Sequence, residues 1–142
     1  MLPLPFNIQE EEFTSALEKK SLQDFLEHSI ETLGHDGNMY SFAFICRDKE
    51  QNILGLVAGR SAYEALHIRY MIVSRGMRKK GLGTALMKQA LEKGKSLGCR
   101  FVHLETMSFQ ALGFYKKLGF DLDFTRAGYQ GGISLHYLSR SL

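Results

Sequence analysis

The spacing of apolar residues alternates along the chain between the repeat of a helix and the repeat of a strand. In the helix-like stretches, apolar residues recur every three or four positions and therefore share one face. In the strand-like stretches they alternate with polar residues or run together, and β-branched and aromatic side chains are frequent. The pattern predicts helices over residues 10–19, 21–34, 82–97 and 109–118, and strands over residues 41–47, 53–60, 66–73, 100–106, 120–124 and 133–138.

Residues at the ends of these segments support the assignment. Ser21 and Asp24 have the spacing of a capping box, with Asp in place of the usual Glu or Gln, which predicts a helix start at Ser21. Gly34 and Gly98 suit the left-handed position that ends many helices. Because helices and strands are interleaved without a linker, repeat or low-complexity tract, we expect one α/β domain over residues 1–142.

The composition is that of an ordinary globular chain, since 44% of its 142 residues are hydrophobic. No apolar run approaches the roughly 18 residues that a membrane span requires, and the N-terminus lacks a charged segment ahead of an apolar one. Cys46 and Cys99 are far apart and have no ligand spacing to a histidine, so we expect free thiols and no bound metal. These features predict a cytoplasmic protein without a membrane partner.

Charge is distributed unevenly along the chain, although the net charge is only +3. Residues 67–100 contain nine lysines and arginines and one acidic residue, whereas residues 1–36 contain eight acidic residues and two lysines. A basic segment of this kind suits a polyphosphate ligand or a nucleic acid. The segment lacks aromatic interleaving and a recognition-helix pattern, so nucleic acid is the less favoured partner.

The most specific motif lies between the third predicted strand and the third predicted helix. Residues 73–84 combine three consecutive cations with Gly81 and Gly83, and such glycines let the backbone turn sharply and approach a phosphate. The helix that follows adds unpaired N–H groups at its positive end. A Walker loop would need a lysine before Thr84, and a dinucleotide fingerprint would need a third glycine where Leu86 stands. The motif therefore predicts a phosphate-binding loop, with an ordinary basic turn as the alternative.

Two strings in the same order resemble those of the Gcn5-related N-acetyltransferases. Arg78-x-x-Gly81-x-Gly83 is similar to their acetyl-CoA loop, and residues 111–120 have the form A-x-x-F-Y-x-x-x-G-F that closes their coenzyme site. The resemblance extends over roughly residues 40–142 and includes small stand-alone bacterial members. It implies an α/β fold with a mixed central sheet of about six to seven strands and about four flanking helices. It also implies a splayed pair of strands that forms the acetyl-CoA cleft.

The resemblance assigns the coenzyme contacts to three segments. Main-chain groups of the strand before the loop would pair with the pantetheine arm, and backbone N–H groups of the loop would hold the pyrophosphate. Arg78 and Lys79 would add charge, and a strand N–H near Val73 would polarise the thioester carbonyl. Ser108 stands where many relatives have asparagine. The expected acetyl-CoA contacts are Met71, Ile72, Val73, Met77, Arg78, Lys79, Lys80, Gly81, Leu82, Gly83, Thr84, Ser108, Gln110 and Phe114.

The resemblance also assigns the catalytic residues. Tyr115 corresponds to the general acid that protonates the departing thiolate, because a phenol is protonated at neutral pH. The alternative role for Tyr115 is packing beside Phe114. His67 occupies the place of the family's carboxylate base, and histidine is suited to proton transfer near neutral pH. Glu105 on the neighbouring strand is its competitor, the two could share a water relay, and Glu64 is a weaker third choice.

The acceptor is the least defined part of the prediction. The resemblance implies a primary amine on a small molecule or a peptide. The acidic first helices would attract cationic amines, whereas Arg69, if it is directed into the acceptor site, would favour an acceptor that bears a carboxylate. Two other functions stay open, a non-catalytic coenzyme A sensor and, less favoured, a basic nucleic-acid-binding domain. Relatives are often dimers, so we also expect a homodimer.

Overall fold

The structure is a computed structural model that describes residues 6–142. The chain forms two compact units, Met1–Asp36 and Gly37–Leu142. Among the described residues the first unit contains one helix, α1 (Ser15–Leu33). The second unit contains β1 (Tyr40–Arg47), β2 (Ile53–Ala62), β3 (Ala65–Val73), α2 (Leu82–Ser96), β4 (Phe101–Met107), α3 (Leu112–Lys117), β5 (Asp121–Arg126) and β6 (Leu135–Ser141). The expectation of one domain over the whole chain stays a prediction.

The N-terminal helix differs from its prediction. Residues 10–14 are not helical, and α1 is a single helix where the apolar spacing predicts two. The Thr14 hydroxyl caps α1 by accepting a hydrogen bond from the Leu17 N–H at 3.2 Å, whereas the Ser21 hydroxyl donates to the Leu17 carbonyl at 2.8 Å. The predicted helix start at Ser21 is therefore wrong, and the described residues form three α-helices instead of four. Gly34 ends the helix in a left-handed conformation, as predicted.

The six strands form one mixed sheet in the order β1-β2-β3-β4-β6-β5. Neighbouring strands are antiparallel except for β3 and β4, which are parallel. A parallel pair needs a crossover connection, and α2 lies in the connection between β3 and β4. All six predicted strands are present, which confirms the predicted α/β class with a mixed sheet.

The parallel strands β3 and β4 separate soon after they begin. They pair only from Ala65 to His67 on β3, opposite residues 101–103 on β4. Beyond that point β3 stays paired with β2 up to Val73, while β4 stays paired with β6 up to Met107. The sheet therefore opens into a wedge after His67. This wedge confirms the predicted splayed pair, and we call it the β3–β4 cleft.

A β-bulge at Arg69 changes the alternation of side chains along β3. The register against β2 skips Arg69, between the partners of Ala58 and Gly59. A Cβ atom on Gly59 would lie 1.9 Å from the His67 carbonyl oxygen, so glycine is required for β2 to approach the bulge. Because the extra residue exchanges the two faces of the strand, Met71 is directed toward the core.

The core of the second unit lies where α2 packs on the sheet, as the apolar stripe of α2 predicts. Gly94 permits a close approach, because a Cβ atom there would lie 3.0 Å from a methyl carbon of Leu66. Burying a leucine fully contributes roughly 1.5–3 kcal/mol, and this contact holds the C-terminal part of α2 against the start of β3. The largest fully buried side chains are Val57, Leu66, Met87, Val102 and Leu138.

Two further sequence predictions concern the thiols and the membrane. Cys99 is buried and Cys46 is half-buried, and both are free thiols, as predicted. Burial raises the pKa of the Cys99 thiol, and the neighbouring Glu64 carboxylate adds to the shift, so the thiol stays protonated. No helix in the described part of the chain is both long and apolar enough to cross a membrane.

Candidate active site

The connection between β3 and α2 is a short loop that turns twice. Residues Arg75–Met77 form a one-turn 3-10 helix, in which the Met77 N–H donates to the Ser74 carbonyl at 2.9 Å. Lys79 and Gly81 then have φ values of 61° and 85°, which lie in the left-handed region. A non-glycine residue is uncommon there, so Lys79 is held in a strained conformation by the loop around it.

The loop leaves a set of backbone donors without partners. No hydrogen bond within residues 6–142 involves the N–H groups of residues 79–81. Gly81 precedes α2 and no side chain caps the helix, so the N–H groups of Leu82, Gly83 and Thr84 also lack intrahelical acceptors. The positive end of α2 and the side chains of Arg78 and Lys79 surround these donors. Such an arrangement binds anions, above all phosphates.

Gly83 allows α3 to approach the start of α2. A Cβ atom on Gly83 would lie 3.2 Å from the Phe114 ring carbon Cζ and 3.6 Å from a methyl carbon of Val73. The end of β3, the start of α2 and one side of α3 therefore meet at this residue. Together these three segments form walls of a cavity.

A cavity of about 790 Å³ occupies the β3–β4 cleft beside the loop. Its volume is in the range of a cofactor site. Eleven residues predicted at the site line it, namely Met71, Val73, Met77, Arg78, Lys79, Gly81, Leu82, Gly83, Thr84, Phe114 and Tyr115, and a twelfth, Gln110, joins them. Sequence reasoning missed three lining residues, Phe109, Ala111 and Lys117. The available signal for Phe109 was its position between two predicted coenzyme contacts, Ser108 and Gln110.

Three residues predicted to contact the coenzyme are absent from the cavity lining. Ser74 donates its N–H to the Leu54 carbonyl at 2.9 Å, and by the alternation of an antiparallel ladder the main chain of Ile72 also faces β2. The open edge of β3 is therefore formed by Met71 and Val73. The Ser108 hydroxyl accepts a hydrogen bond from the Ser134 N–H at 3.0 Å, which joins two loops, and Lys80 is exposed outside the cavity.

Gln110 closes the end of β4. Its side-chain carbonyl oxygen accepts a hydrogen bond from the Met107 N–H at 2.8 Å and one from the Thr106 hydroxyl at 3.4 Å. These bonds fix the loop that carries Phe109 into the cavity. The side-chain amide of Gln110 keeps its two N–H groups available as donors.

Tyr115 is buried at the ring and open at the hydroxyl. Its ring makes edge contacts with Phe114 and Phe120, with centroids 5.1 Å and 5.8 Å away. The hydroxyl makes no hydrogen bond with any described residue, and no described side-chain oxygen is both buried and unpaired, so the hydroxyl faces the cavity. Burial raises the pKa of the Tyr115 phenol, which is therefore protonated at neutral pH and can donate a proton.

The two predicted bases lie together at the narrow end of the cleft. Nε2 of His67 is 2.9 Å from Oε2 of Glu105, and both side chains are about one-third exposed. The ring of His103 stacks on the His67 ring, with centroids 4.5 Å apart and planes within 4°. Burial lowers the pKa of His103, and the nearby His67 lowers it further, so His103 is neutral at pH 7. Neither His67 nor Glu105 lines the large cavity.

Glu64 and Arg69, which the sequence also singled out, are both on the surface of the protein. Glu64 forms an exposed ion pair with Arg100, and its role as the third choice of base stays a prediction. Arg69 is exposed, and its guanidinium carbon lies 6.0 Å from the centroid of the Tyr70 ring. The donor atoms of His67, His103 and Glu105 lie within 4.8 Å of one another, and two imidazoles with a carboxylate are a donor set that divalent transition metals accept.

Comparisons with known proteins agree with this geometry. The acetyltransferase (GNAT) family model matches residues 3–120. The chain is 33% identical over 100 residues to the blasticidin-S acetyltransferase of Streptomyces morookaense, over 70% of this chain and 73% of that protein. A crystal structure from Agrobacterium tumefaciens has the same fold, with a TM-score of 0.85 and 20% identity over 98% of this chain and 100% of that one.

A structure from Bacillus anthracis in complex with acetyl coenzyme A is also similar. Its TM-score is 0.64, with 20% identity over 72% of this chain and 62% of that one. The family model spans most of the sequence, and the alignment with the Streptomyces relative extends over more than two thirds of both chains. The chain therefore belongs to the GNAT family of acetyltransferases.

Proposed function

We propose that the protein is an acetyl-CoA-dependent N-acetyltransferase that acts on a primary amine of a small molecule or peptide. The observation that carries this proposal is the β3–β4 cleft, which connects unpaired backbone donors at one end with the Tyr115 hydroxyl further along. An extended thioester with a polyphosphate at one end has the same order of chemical groups. The open edge of a strand also suits its amide-containing arm.

The coenzyme would be held by three kinds of contact. The N–H groups of residues 79–84 would bind the pyrophosphate, with Arg78 and Lys79 supplying charge. Met71 and Val73 would pair their main-chain groups with the pantetheine arm, because β4 has left that edge of β3 open. The Val73 N–H would then be near the thioester carbonyl and would stabilise its developing negative charge.

The reaction would proceed by direct attack. The amine nitrogen attacks the thioester carbonyl carbon, an amide C–N bond forms, and the C–S bond breaks. The thiolate takes the phenolic proton of Tyr115, which is later replaced from solvent. An ammonium acceptor loses two protons and the sulfur gains one, so one proton is released overall. No covalent enzyme intermediate is required.

The proton acceptor would be the pair formed by His67 and Glu105. If Nε2 of His67 donates to the Glu105 carboxylate, Nδ1 keeps a lone pair and can accept a proton. Because the pair lies at the last paired position of β3 and β4, a water between it and the substrate nitrogen would complete the path. The carboxylate holds the ring in one tautomer, as in other histidine bases.

The test is an assay of free thiol released from acetyl-CoA in the presence of primary amines. The panel contains blasticidin S, the compound in the name of the Streptomyces relative, a polyamine and a lysine peptide. We expect turnover with at least one amine, and initial rates that indicate a ternary complex when both substrates are varied. Rates that indicate a covalent acetyl-enzyme would contradict direct attack. Tight acetyl-CoA binding without any turnover would identify a coenzyme A sensor instead.

Two further expectations stay predictions. A homodimer is expected from the resemblance to the family, and size-exclusion chromatography with light scattering measures it directly. A cytoplasmic location is expected from the sequence, and fractionation of cells that express the protein would test it.

A further inference from the structure

A second cavity lies on β4, β5 and β6, apart from the β3–β4 cleft. It has a volume of about 530 Å³ and is lined by Phe101, His103, Leu104, Asp123, Tyr137, Leu138 and Ser139. We call it the β4–β6 pocket. Its volume is large enough for a small metabolite. Its walls combine two aromatic rings and an imidazole with a single carboxylate.

The strand that carries this carboxylate has a β-bulge beside the pocket. Leu122 pairs with Leu138 and Phe124 pairs with Tyr137, so Asp123 has no partner on β6. A bulge of this kind re-aims one side chain and is frequent beside functional sites. Asp123 shares a face of the sheet with Tyr137 and Ser139, since all three side chains line the pocket.

The charge of the β4–β6 pocket is negative. Among the described residues that line it, Asp123 is the charged one and there is no lysine or arginine. The Tyr137 and Phe101 rings present faces that attract cations. An ammonium group is therefore favoured in this pocket, and a carboxylate is disfavoured.

The β4–β6 pocket shares a wall with the proposed reaction centre. His103 lines the pocket, and its ring stacks on His67 at 4.5 Å. His67 is bonded to Glu105 and lies where β3 and β4 part. A molecule in the pocket would therefore lie beside the two groups that we propose to remove the amine proton.

We propose that the β4–β6 pocket binds the acceptor, and that this acceptor is an organic cation with a flat ring and no carboxylate near its amine. The proposal rests on the proposed function, since it names the substrate class of the same reaction. Asp123 holds the positive charge and Tyr137 and Phe101 contact the ring. Arg69 makes the opposite prediction, because a cationic wall would select an acceptor with a carboxylate.

The test compares two ligands that differ by one carboxylate, tyramine and tyrosine. Calorimetry measures their binding to the whole chain, with and without saturating coenzyme A. We expect tyramine to bind at least about 10-fold more tightly than tyrosine, which corresponds to about 1.4 kcal/mol. Asp123→Asn should weaken tyramine binding about 10-fold. Asp121→Asn removes an exposed carboxylate from the same strand outside the pocket and should leave binding unchanged.

Three results would overturn this inference: no binding of tyramine, equal or tighter binding of tyrosine, or an equal loss in both variants. The melting temperature of each variant verifies that it is folded. Acetyl-CoA binding is measured on the same samples. If tyramine is not preferred over tyrosine but acetyl-CoA still binds, only this inference is overturned. If acetyl-CoA does not bind, the proposed function is overturned, and the amine measurements can still be interpreted by themselves.

Discussion

Tyr115 combines two properties, a residue that is only 8% exposed and a hydroxyl that faces a cavity. A buried phenol whose pKa is raised keeps its proton, and it is then available to a leaving thiolate. Tyr115→Phe keeps the ring contacts and removes the proton. We expect kcat to fall about 100-fold, since general acids contribute roughly 10²–10⁴.

The measurement for this variant is kcat with a turned-over amine, together with the melting temperature. The melting temperature should change little, because no hydrogen bond of the hydroxyl with a described residue is lost. An unchanged kcat would show that Tyr115 packs its ring against its neighbours and does not act as the general acid. A large loss of stability would show that the hydroxyl has a structural partner.

The lowered pKa of His103 predicts how the stability of the protein depends on pH. Its pKa in the folded protein is lowered, chiefly by burial, so between the ordinary value near 6.5 and the lower folded value the unfolded chain binds more protons. The free energy of unfolding should therefore fall as the pH decreases below about 6.5. Urea unfolding at several pH values measures it. His103→Gln should reduce the slope, and an unchanged slope in this variant would contradict the prediction.

At the scale of single residues, the sequence predicted which residues line the cavity better than it predicted which side chains bond to each other. The motif located Tyr115 and the loop glycines, because their chemistry depends on local spacing. The bond between His67 and Glu105 depends on the parallel register of two strands separated by a helix, which spacing does not determine. Asp123 was not predicted as a site residue for a similar reason, since its pocket is formed by three strands whose pairing cannot be determined from local spacing.

The loop between β3 and α2 makes a prediction about elements, because only some of its cations face the cavity. Arg78 lines the cavity and Lys80 does not. Arg78→Ala should raise the KM for acetyl-CoA about 10-fold, as expected for a hydrogen bond to a charged group worth about 1.5–3 kcal/mol. Lys80→Ala, a neighbouring charge removed from the same loop, should raise it about two-fold or less. Equal effects would mean that the loop acts only through its total charge.

The bulge in β3 gives a second prediction at this scale. A methyl group at Gly59 would collide with the His67 carbonyl, so Gly59→Ala should destabilise the protein by about 3 kcal/mol. Gly76→Ala is the control, because no atom lies within 4 Å of its added carbon and such surface changes are usually within about 0.5 kcal/mol. Urea denaturation measures both. If Gly59→Ala loses little free energy of unfolding, the backbone at the bulge can shift to accommodate the methyl group, which would contradict the prediction.

The helices and strands were predicted from the sequence more accurately than the contacts between them. Five strands and the helix α2 follow the apolar pattern because each has a face that packs toward the core, whereas β5 is exposed along its whole length and follows from its β-forming residues alone. α1 was divided incorrectly, since Ser21 has cap chemistry but lies inside a helix, where its hydroxyl bonds back to Leu17. Local spacing does not distinguish a serine that caps from one that bonds to the preceding turn.

For the whole molecule, the decisive feature is the separation of β3 from β4. The sequence predicted it only through family resemblance, because strand order and parallel pairing depend on contacts between distant residues. The basic segment 67–100 was visible in composition, and in the structure its loop cations surround the donors of residues 79–84. Acetyl-CoA should stabilise the folded state through this cleft, because an unfolded chain does not form it.

The most direct test of this account is the change in melting temperature with acetyl-CoA and with free coenzyme A, using ATP as the control. A ligand at about 100 times its dissociation constant adds about 2.7 kcal/mol, which is a shift of several degrees for a domain of this size. We expect that shift with both coenzyme A forms, little with ATP, and a smaller one in Arg78→Ala. No shift with either coenzyme A form would contradict the proposed function.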